Sequence, residues 1–386
     1  MRQSIHVTHI ITGLNDGGAE AVLYRLCTHD TACRHTVISL MDEGKYGALL
    51  REVGVAVHCL NLPRGQVRLA AFWRLWRLLR EQRPDVVQTW MYHADLVGGV
   101  IARLAGVRNV VWGIHHTTLE PGKSARGTIW IARLLARLSR LVPRRIAVCA
   151  HKATAVHGTL GYDTTRMVVI PNGYNLTQFA PNAAARARMR AKWAVPDKLP
   201  LLGMVGRFDP QKDHANLLQA LARLRHQGES FRCVLVGTGL TEANSALAHH
   251  IEQAGLKEQV LLLGRYDDIP AVMNALDVHV LSSAFGEAFP NVLAEAMACG
   301  TPCVTTSVGD AALIVGDTGW VVPLKDSVAL ADAISTAVCA HRDTTAWVAR
   351  QWAARQRVVD NFSIENMVLA YQSVWQAGFE QDVRIR

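Results

Sequence analysis

Short β-branched runs alternate with helix-length stretches along the whole chain, and that alternation admits few architectures other than parallel sheets with helices on their faces. The runs expected as strands are 5–11, 35–40, 56–60, 85–89, 109–113, 145–148 and 167–170 in the first half. In the second half they are 201–205, 231–236, 260–263, 278–281, 301–305 and 319–322. Each set suffices for a doubly wound sheet, so the fold class is α/β with two Rossmann-like domains, and ligands are expected at the carboxyl ends of strands, facing a cleft.

At 386 residues the chain exceeds what one core usually holds, which agrees with two domains. Between the strand sets lie Pro171-Asn172-Gly173-Tyr174-Asn175, the Ala/Arg-rich stretch Ala183 to Trp193, and Val195-Pro196-Asp197. The expected domains are therefore 1–195 and 196–363, with 364–386 a C-terminal helix able to lie against either.

Half of the residues are hydrophobic and 19% are charged, a globular composition. No run of 18 apolar residues and no signal-peptide pattern is found, so the chain is expected in the cytosol. The eight cysteines form no Cys-x-x-Cys pair, and the histidines form no His-Glu-x-x-His helix, so no metal and no cofactor are expected. Residues 1–180 hold 22 Lys and Arg against 11 Asp and Glu, whereas 181–386 hold 19 against 21. Only the first half is built to meet an anionic surface.

Several strand ends carry chemistry. The run 201–205 ends in Gly206-Arg207-Phe208-Asp209-Pro210-Gln211-Lys212-Asp213, where Arg207 and Lys212 are placed to neutralise a diphosphate and Asp213 to cap the next helix. Two exposed surface cations are the plain alternative. The run 231–236 ends in Gly237-Thr238-Gly239, which permits close backbone approach, but the full dinucleotide fingerprint is missing and an NAD enzyme is disfavoured. Gly13 to Glu20, with Gly17 and Gly18, joins the first strand to a helix and opens that helix N-terminus to an anion or a sugar, or simply makes a tight turn.

Glu295 stands among apolar neighbours in Phe289-Pro290-Asn291-Val292-Leu293-Ala294-Glu295-Ala296-Met297, with Glu287 upstream. A carboxylate in such a segment needs hydrogen-bond donors. The two acids either hold the ends of one elongated, hydroxyl-rich ligand, or Glu295 pairs with a core arginine and Glu287 is solvated.

Taken together, segments 13–20, 171–181, 206–214 and 282–306 resemble the retaining glycosyltransferases of family 4, which have the GT-B fold. The block Ser282-Ser283-Ala284-Phe285-Gly286-Glu287-Ala288-Phe289-Pro290-Asn291-Val292-Leu293-Ala294-Glu295 carries most of the likeness, which continues through Val308-Gly309-Asp310 and Gly319 to Pro323. The resemblance implies that Glu287 contacts the donor sugar and Glu295 the ribose of a nucleotide. It further implies that Arg207 and Lys212 grip the diphosphate, and that the backbone around Ala288, Phe289, Asn291 and Val292 lines the site with Gly237. The family more often has Gly where Ala288 stands, which bears on sugar selectivity. An active-site histidine is also implied, best matched by His93, with His115 and His116 as rivals.

The implied reaction moves a hexosyl or N-acetylhexosaminyl group from a UDP-sugar, or else a GDP-sugar, to a sugar or lipid-linked acceptor in cell-surface polysaccharide synthesis. No Asp-x-Asp metal motif is present, so the transfer is expected to be metal-independent. Two alternatives are a non-catalytic sugar-nucleotide-binding partner subunit and a glycan phosphorylase, the latter usually much longer. The segments Gln66 to Arg83 and Lys123 to Arg145, rich in arginine, aliphatics and tryptophan, are suited either to an anionic membrane or to packing on the sheet with arginines in water. No nucleic-acid partner is expected.

Overall fold

The computed structural model describes residues 4–15, 17–63, 68–119 and 124–383, with side chains through 377. Asp16, Gln66, Val67 and Lys123, which belong to segments singled out above, lie outside the described residues. The chain divides into two compact units, Met1–Gly173 with Ile364–Arg386, and Tyr174–Ser363.

The first unit holds β1 (His6–Ile11), β2 (Arg34–Ser39), β3 (Ala56–Cys59), β4 (Val86–Trp90), β5 (Val110–Ile114), β6 (Arg145–Val148) and β7 (Met167–Val169). They form one parallel sheet in the order β3-β2-β1-β4-β5-β6-β7. The second unit holds β8 (Leu201–Val205), β9 (Arg232–Val236), β10 (Val260–Gly264), β11 (Val278–Leu281), β12 (Cys303–Thr306) and β13 (Trp320–Val322), again parallel, in the order β10-β9-β8-β11-β12-β13. Every strand expected from the sequence is present. Strands covered by helices on both faces are buried along their whole length, as β1, β4, β5, β8, β11 and β12 are, so their apolar runs are continuous and easily read.

In each sheet the winding reverses once, between β1 and β4 in the first and between β8 and β11 in the second. Neighbouring strands on either side of a reversal send their connections to opposite faces of the sheet, and ligands of such folds bind at the carboxyl ends of those two strands.

The boundary lies at Gly173/Tyr174 rather than at residue 195. The Ala/Arg-rich helix Ala183–Lys192 reads as polar linker, yet it is anchored in the second unit through its arginines. Arg190, 1% exposed, donates to Asp277 Oδ2 at 3.1 Å and to the carbonyl of Leu199 at 2.6 Å, while Arg186 donates to Asp277 Oδ1 at 2.6 Å. Burial alone would raise the Asp277 pKa, but His341, the two arginines and the Leu201 amide outweigh it and hold the carboxyl at about 2.

The helix Ile364–Val383 joins the first unit, where Ile364, Met367, Tyr371 and Trp375 enter the core around β1 and β4. A buried polar chain ties it there. Trp90 Nε1 donates to His9 Nδ1 at 3.2 Å, His9 Nε2 meets His35 Nδ1 at 2.9 Å, His35 Nε2 lies 3.2 Å from Asp30 Oδ2, and Gln372 donates to Asp30 Oδ1 at 2.7 Å. Indole N–H is a donor only, so His9 accepts at Nδ1 and donates from Nε2 to His35 Nδ1, while His35 Nε2 and Asp30 Oδ2 stand in close contact without hydrogen-bond geometry.

Candidate functional site

At the reversal of the second unit, the loop after β8 and the loop after β11 meet. Asp209 Oδ1 accepts from the Gln211 amide at 2.9 Å and starts a single 3-10 turn, Pro210–Lys212. Asp213 then takes a left-handed conformation (φ 50°) and caps the helix His214–His226 by accepting from the Asn216 amide at 3.2 Å. The Ala284 amide donates to the Gln211 carbonyl at 2.9 Å, joining the two loops. Lys212 Nζ thereby reaches Glu287 Oε1 at 2.6 Å, with both side chains only 12% exposed. Ser283 Oγ donates to the same oxygen at 3.0 Å.

Arg207 is largely exposed and forks onto its own loop, Nε to Asp209 Oδ2 at 3.0 Å and Nη2 to Gln211 Oε1 at 3.2 Å. The plain reading of two exposed cations therefore fits Arg207 and not Lys212. A Cβ on Gly206 would come within 3.1 Å of Lys212 Cε, so this glycine makes room for the lysine stem. Gly237 has φ 148°, and a Cβ there would lie 2.0 Å from the Gly206 carbonyl oxygen, so the crossing of two strand ends already requires glycine.

The backbone after Glu287 is held from β12. The Asp310 amide donates to the Ala288 carbonyl at 2.9 Å, and Gly309 (φ 50°) fits where a Cβ would approach the Glu287 carbonyl oxygen to 2.4 Å. Phe289 is buried against Phe362, with ring centroids 5.3 Å apart, so it can offer a ligand only its backbone. Pro290 stands at the N-cap position of the helix Asn291–Ala298, and Tyr174 Oη donates to Asn291 Oδ1. Val292 is partly buried. Glu295 is also partly exposed, while Leu293, Ala294, Ala296 and Met297 are fully buried. The all-round apolar surroundings expected for Glu295 are thus confined to the opposite side of the helix.

The first unit has its own reversal at β1 and β4. Gly17 precedes the helix Gly18–His29 without a side-chain cap, and a Cβ on it would lie 2.3 Å from Glu20 Oε2. Met91 (φ 71°, ψ 160°) bends the chain from β4 into the helix Tyr92–Leu104, an uncommon conformation for a residue with a side chain. His93 is exposed on the first turn of that helix, and partial desolvation lowers its pKa. His115 follows the adjacent β5, stacks on Trp90 at 5.0 Å, and is pushed down to about 4 by burial. His116 follows it, partly buried. Beneath them Asp95 is buried, and its Oδ1 accepts from Thr89 Oγ1 at 2.6 Å and from the Gly113 amide at 3.3 Å. Burial outweighs those bonds and raises its pKa to about 8.

His9, Cys27 and His35 bring ligand-type atoms within 4.8 Å of one another. A metal there would need His9 Nε2, whose proton is directed at His35 while Nδ1 accepts from Trp90, and burial raises the Cys27 thiol above its usual range. That donor set suits hydrogen bonding better than a cation. On the surface of the same unit, the helices Leu69–Gln82 and Arg126–Leu138 both pack on Tyr92–Leu104 and expose Trp73, Trp76 and Trp130 among arginines. Among the described residues, no helix is long and apolar enough to cross a membrane.

The sequence brought Arg207, Lys212 and Glu287 forward but gave no role to Ser283, Gln211 or Gly309, which the structure places around them, nor to Tyr174, which holds Asn291. Ser283 and Gly309 stood inside segments already singled out, and strand-end position was the signal available for Ser283.

Family models match two stretches of the chain, "Glycosyltransferase Family 4" over residues 16–178 and "Glycosyl transferases group 1" over 199–339. EpsF of Bacillus subtilis (strain 168), which carries a glycosyltransferase name, is 30% identical over 310 residues, covering 77% of this chain and 78% of EpsF. The UDP-Gal:alpha-D-GlcNAc-diphosphoundecaprenol alpha-1,3-galactosyltransferase of Escherichia coli is 28% identical over 298 residues, covering 76% of each. Among solved structures, Anabaena Alr3699/HepE in complex with UDP and glucose has a TM-score of 0.84 at 22% identity, covering 97% of this chain and 100% of that one.

Proposed function

The chain belongs to glycosyltransferase family 4 and is a glycosyltransferase with the GT-B fold, and from that premise we propose which sugar transfer it performs. The donor is a nucleotide diphosphate sugar, uridine before guanosine, and a hexosyl or N-acetylhexosaminyl group passes to a hydroxyl of a lipid-linked or oligosaccharide acceptor with retention at the anomeric carbon. The observation that carries this reading is the Lys212–Glu287 pair beside Arg207 at the sheet reversal of the second unit.

In this reading Arg207 and Lys212 bind the diphosphate, Glu287 the sugar hydroxyls, and Glu295 the ribose, with Gly237 and the segment Ala288, Phe289, Asn291 and Val292 forming the wall. The bond between the anomeric carbon and the β-phosphate oxygen breaks, the acceptor oxygen bonds the same face of that carbon, and the acceptor proton goes to the departing phosphate. Charge grows on the diphosphate during this step, so fixed cations there stabilise the transition state more than the bound donor. That is the ground for proposing transfer without a metal ion. His93, at the reversal of the first unit, is assigned a catalytic role, and Gly17 and Gly18 of the same unit are assigned to binding the nucleotide sugar.

The choice of uridine is supported by the names of the relatives: the Escherichia coli enzyme is named for UDP-Gal, and the HepE complex contains UDP. The Escherichia coli enzyme is also named for a diphosphoundecaprenol acceptor, which supports a lipid-linked acceptor and a place on the cytosolic face of the cell membrane in polysaccharide assembly. A thermal-shift panel of UDP-glucose, UDP-galactose, UDP-N-acetylglucosamine and GDP-mannose tests the donor, since specific binding raises Tm. A shift with the uridine sugars, and transfer undiminished by EDTA, is expected; no shift with any of the four would sink the assignment.

A further inference from the structure

We propose that two consecutive hydroxyls, Ser282 and Ser283, are the positioning residues of the donor site, Ser282 for Lys212 and Ser283 for Glu287. The proposal rests on the donor reading above. Both serines are 0% exposed and follow directly on β11. Successive side chains of an extended chain leave it on opposite sides, so two neighbours can serve two different loops.

Ser282 faces the loop after β8. Its Oγ lies 2.8 Å from the Lys212 carbonyl and 3.0 Å from the Asp213 carbonyl, so its single proton is shared between them. Those carbonyls flank the left-handed turn at Asp213, a conformation that a residue with a Cβ adopts at some cost and keeps only when its surroundings enforce it. Ser282 supplies that enforcement at the point where the lysine leaves the backbone.

Ser283 faces the other loop. Its hydroxyl donates to Glu287 Oε1, the oxygen that also accepts from Lys212 Nζ, so the carboxylate is oriented by two donors on one oxygen. Ser283 is itself held, because Thr306 Oγ1 on β12 donates to its carbonyl at 2.6 Å. Deleting the Ser283 hydroxyl removes a donor from Oε1 and loosens the orientation of the carboxylate relative to the lysine.

The test compares S282A, S283A and S283T with the wild-type full chain. Acetylation of Lys212 by sulfo-N-hydroxysuccinimide acetate, followed by peptide mass spectrometry, needs no donor. It should run several-fold faster in both alanine variants and at the wild-type rate in S283T. With UDP and UDP-glucose as probes, S283A should lose about tenfold in kcat while its Kd for UDP stays within about twofold, and S283T should recover. S282A should instead weaken UDP. Equal labelling rates across the set, or unchanged kcat in a folded S283A, would overturn the proposal. A wild-type chain inert toward every sugar nucleotide would count against the donor reading, while the labelling rates still decide the serines.

Discussion

Lys212 and Glu287 share one short hydrogen bond, Nζ to Oε1 at 2.6 Å, although they stand on loops from different strands and are mostly buried. The two charges are paired directly. The groups proposed to hold the diphosphate and the sugar are therefore coupled before any donor is considered, and their removal should not be additive.

K212A and E287A should each lower transfer to below about 1% of wild type while the chain stays folded. Each should also lower Tm, because a partly buried charge loses its closest partner, and the double variant should lose less stability than the two singles combined. Steady-state rates and thermal melts check both parts. Near-normal turnover in the single variants would remove these residues from the site.

The arginine and tryptophan faces of Leu69–Gln82 and Arg126–Leu138 should bind vesicles containing anionic lipid. Co-sedimentation should be strong at low salt and fall steeply toward 0.5 M NaCl, roughly where screening shortens electrostatic reach to a few ångströms. A W73A/W76A/W130A variant should bind less at every salt concentration. If no wild-type chain sediments at low salt, the membrane-facing role fails.

Asp95 should make the chain more stable as an asparagine. Its folded pKa is raised to about 8 from the usual 3.8, so its contribution is fully present below pH 3.8 and is lost as pH rises toward 8. The oxygen that accepts from Thr89 and Gly113 is kept in D95N. At pH 7.5 the variant should melt about 3 °C above wild type, and its Tm should change less between pH 4 and 8. A lower Tm at pH 7.5 would show that the added amide protons find no acceptor.

Buried histidines work in the opposite direction. Desolvation pushes His157 and His214 down to about 4 and His279 to about 3, so the unfolded chain takes up protons first as the solution is acidified. Stability present above pH 6.5 is then lost as pH falls toward 4, by about 1.4 kcal/mol per pH unit for each such residue. Both ring nitrogens of His214 and His279 lack a hydrogen-bond partner among the described residues, and the Asp209 charge offsets the desolvation of His214 only in part. Melts between pH 8 and 5 should show the decline, and H279F should make it shallower.

The strands were legible because sheets covered on both faces demand continuous apolar runs, which survive in a single sequence. Residues 183–192 were misassigned because alanine and arginine look like solvated linker until Asp277, far along the chain, is seen to bind Arg186 and Arg190. The polar chain from Trp90 to Gln372 was illegible for a similar reason: its members are scattered among apolar residues in separate elements, and only the register of β1 against β2 and β4 unites them. Within the site, charged residues at strand ends announced themselves, whereas Ser283 and Gly309 act through geometry that composition does not encode.

The return of Ile364–Val383 to the first unit sets an order of events on the ribosome. Domains usually fold as they emerge, earlier ones first. Here the sheet made first cannot complete its core around Trp90 and His9 until translation has passed through the entire second unit. For that interval the nascent first unit carries an open apolar groove where Tyr371 and Trp375 will later dock, and a chaperone would have that surface to hold.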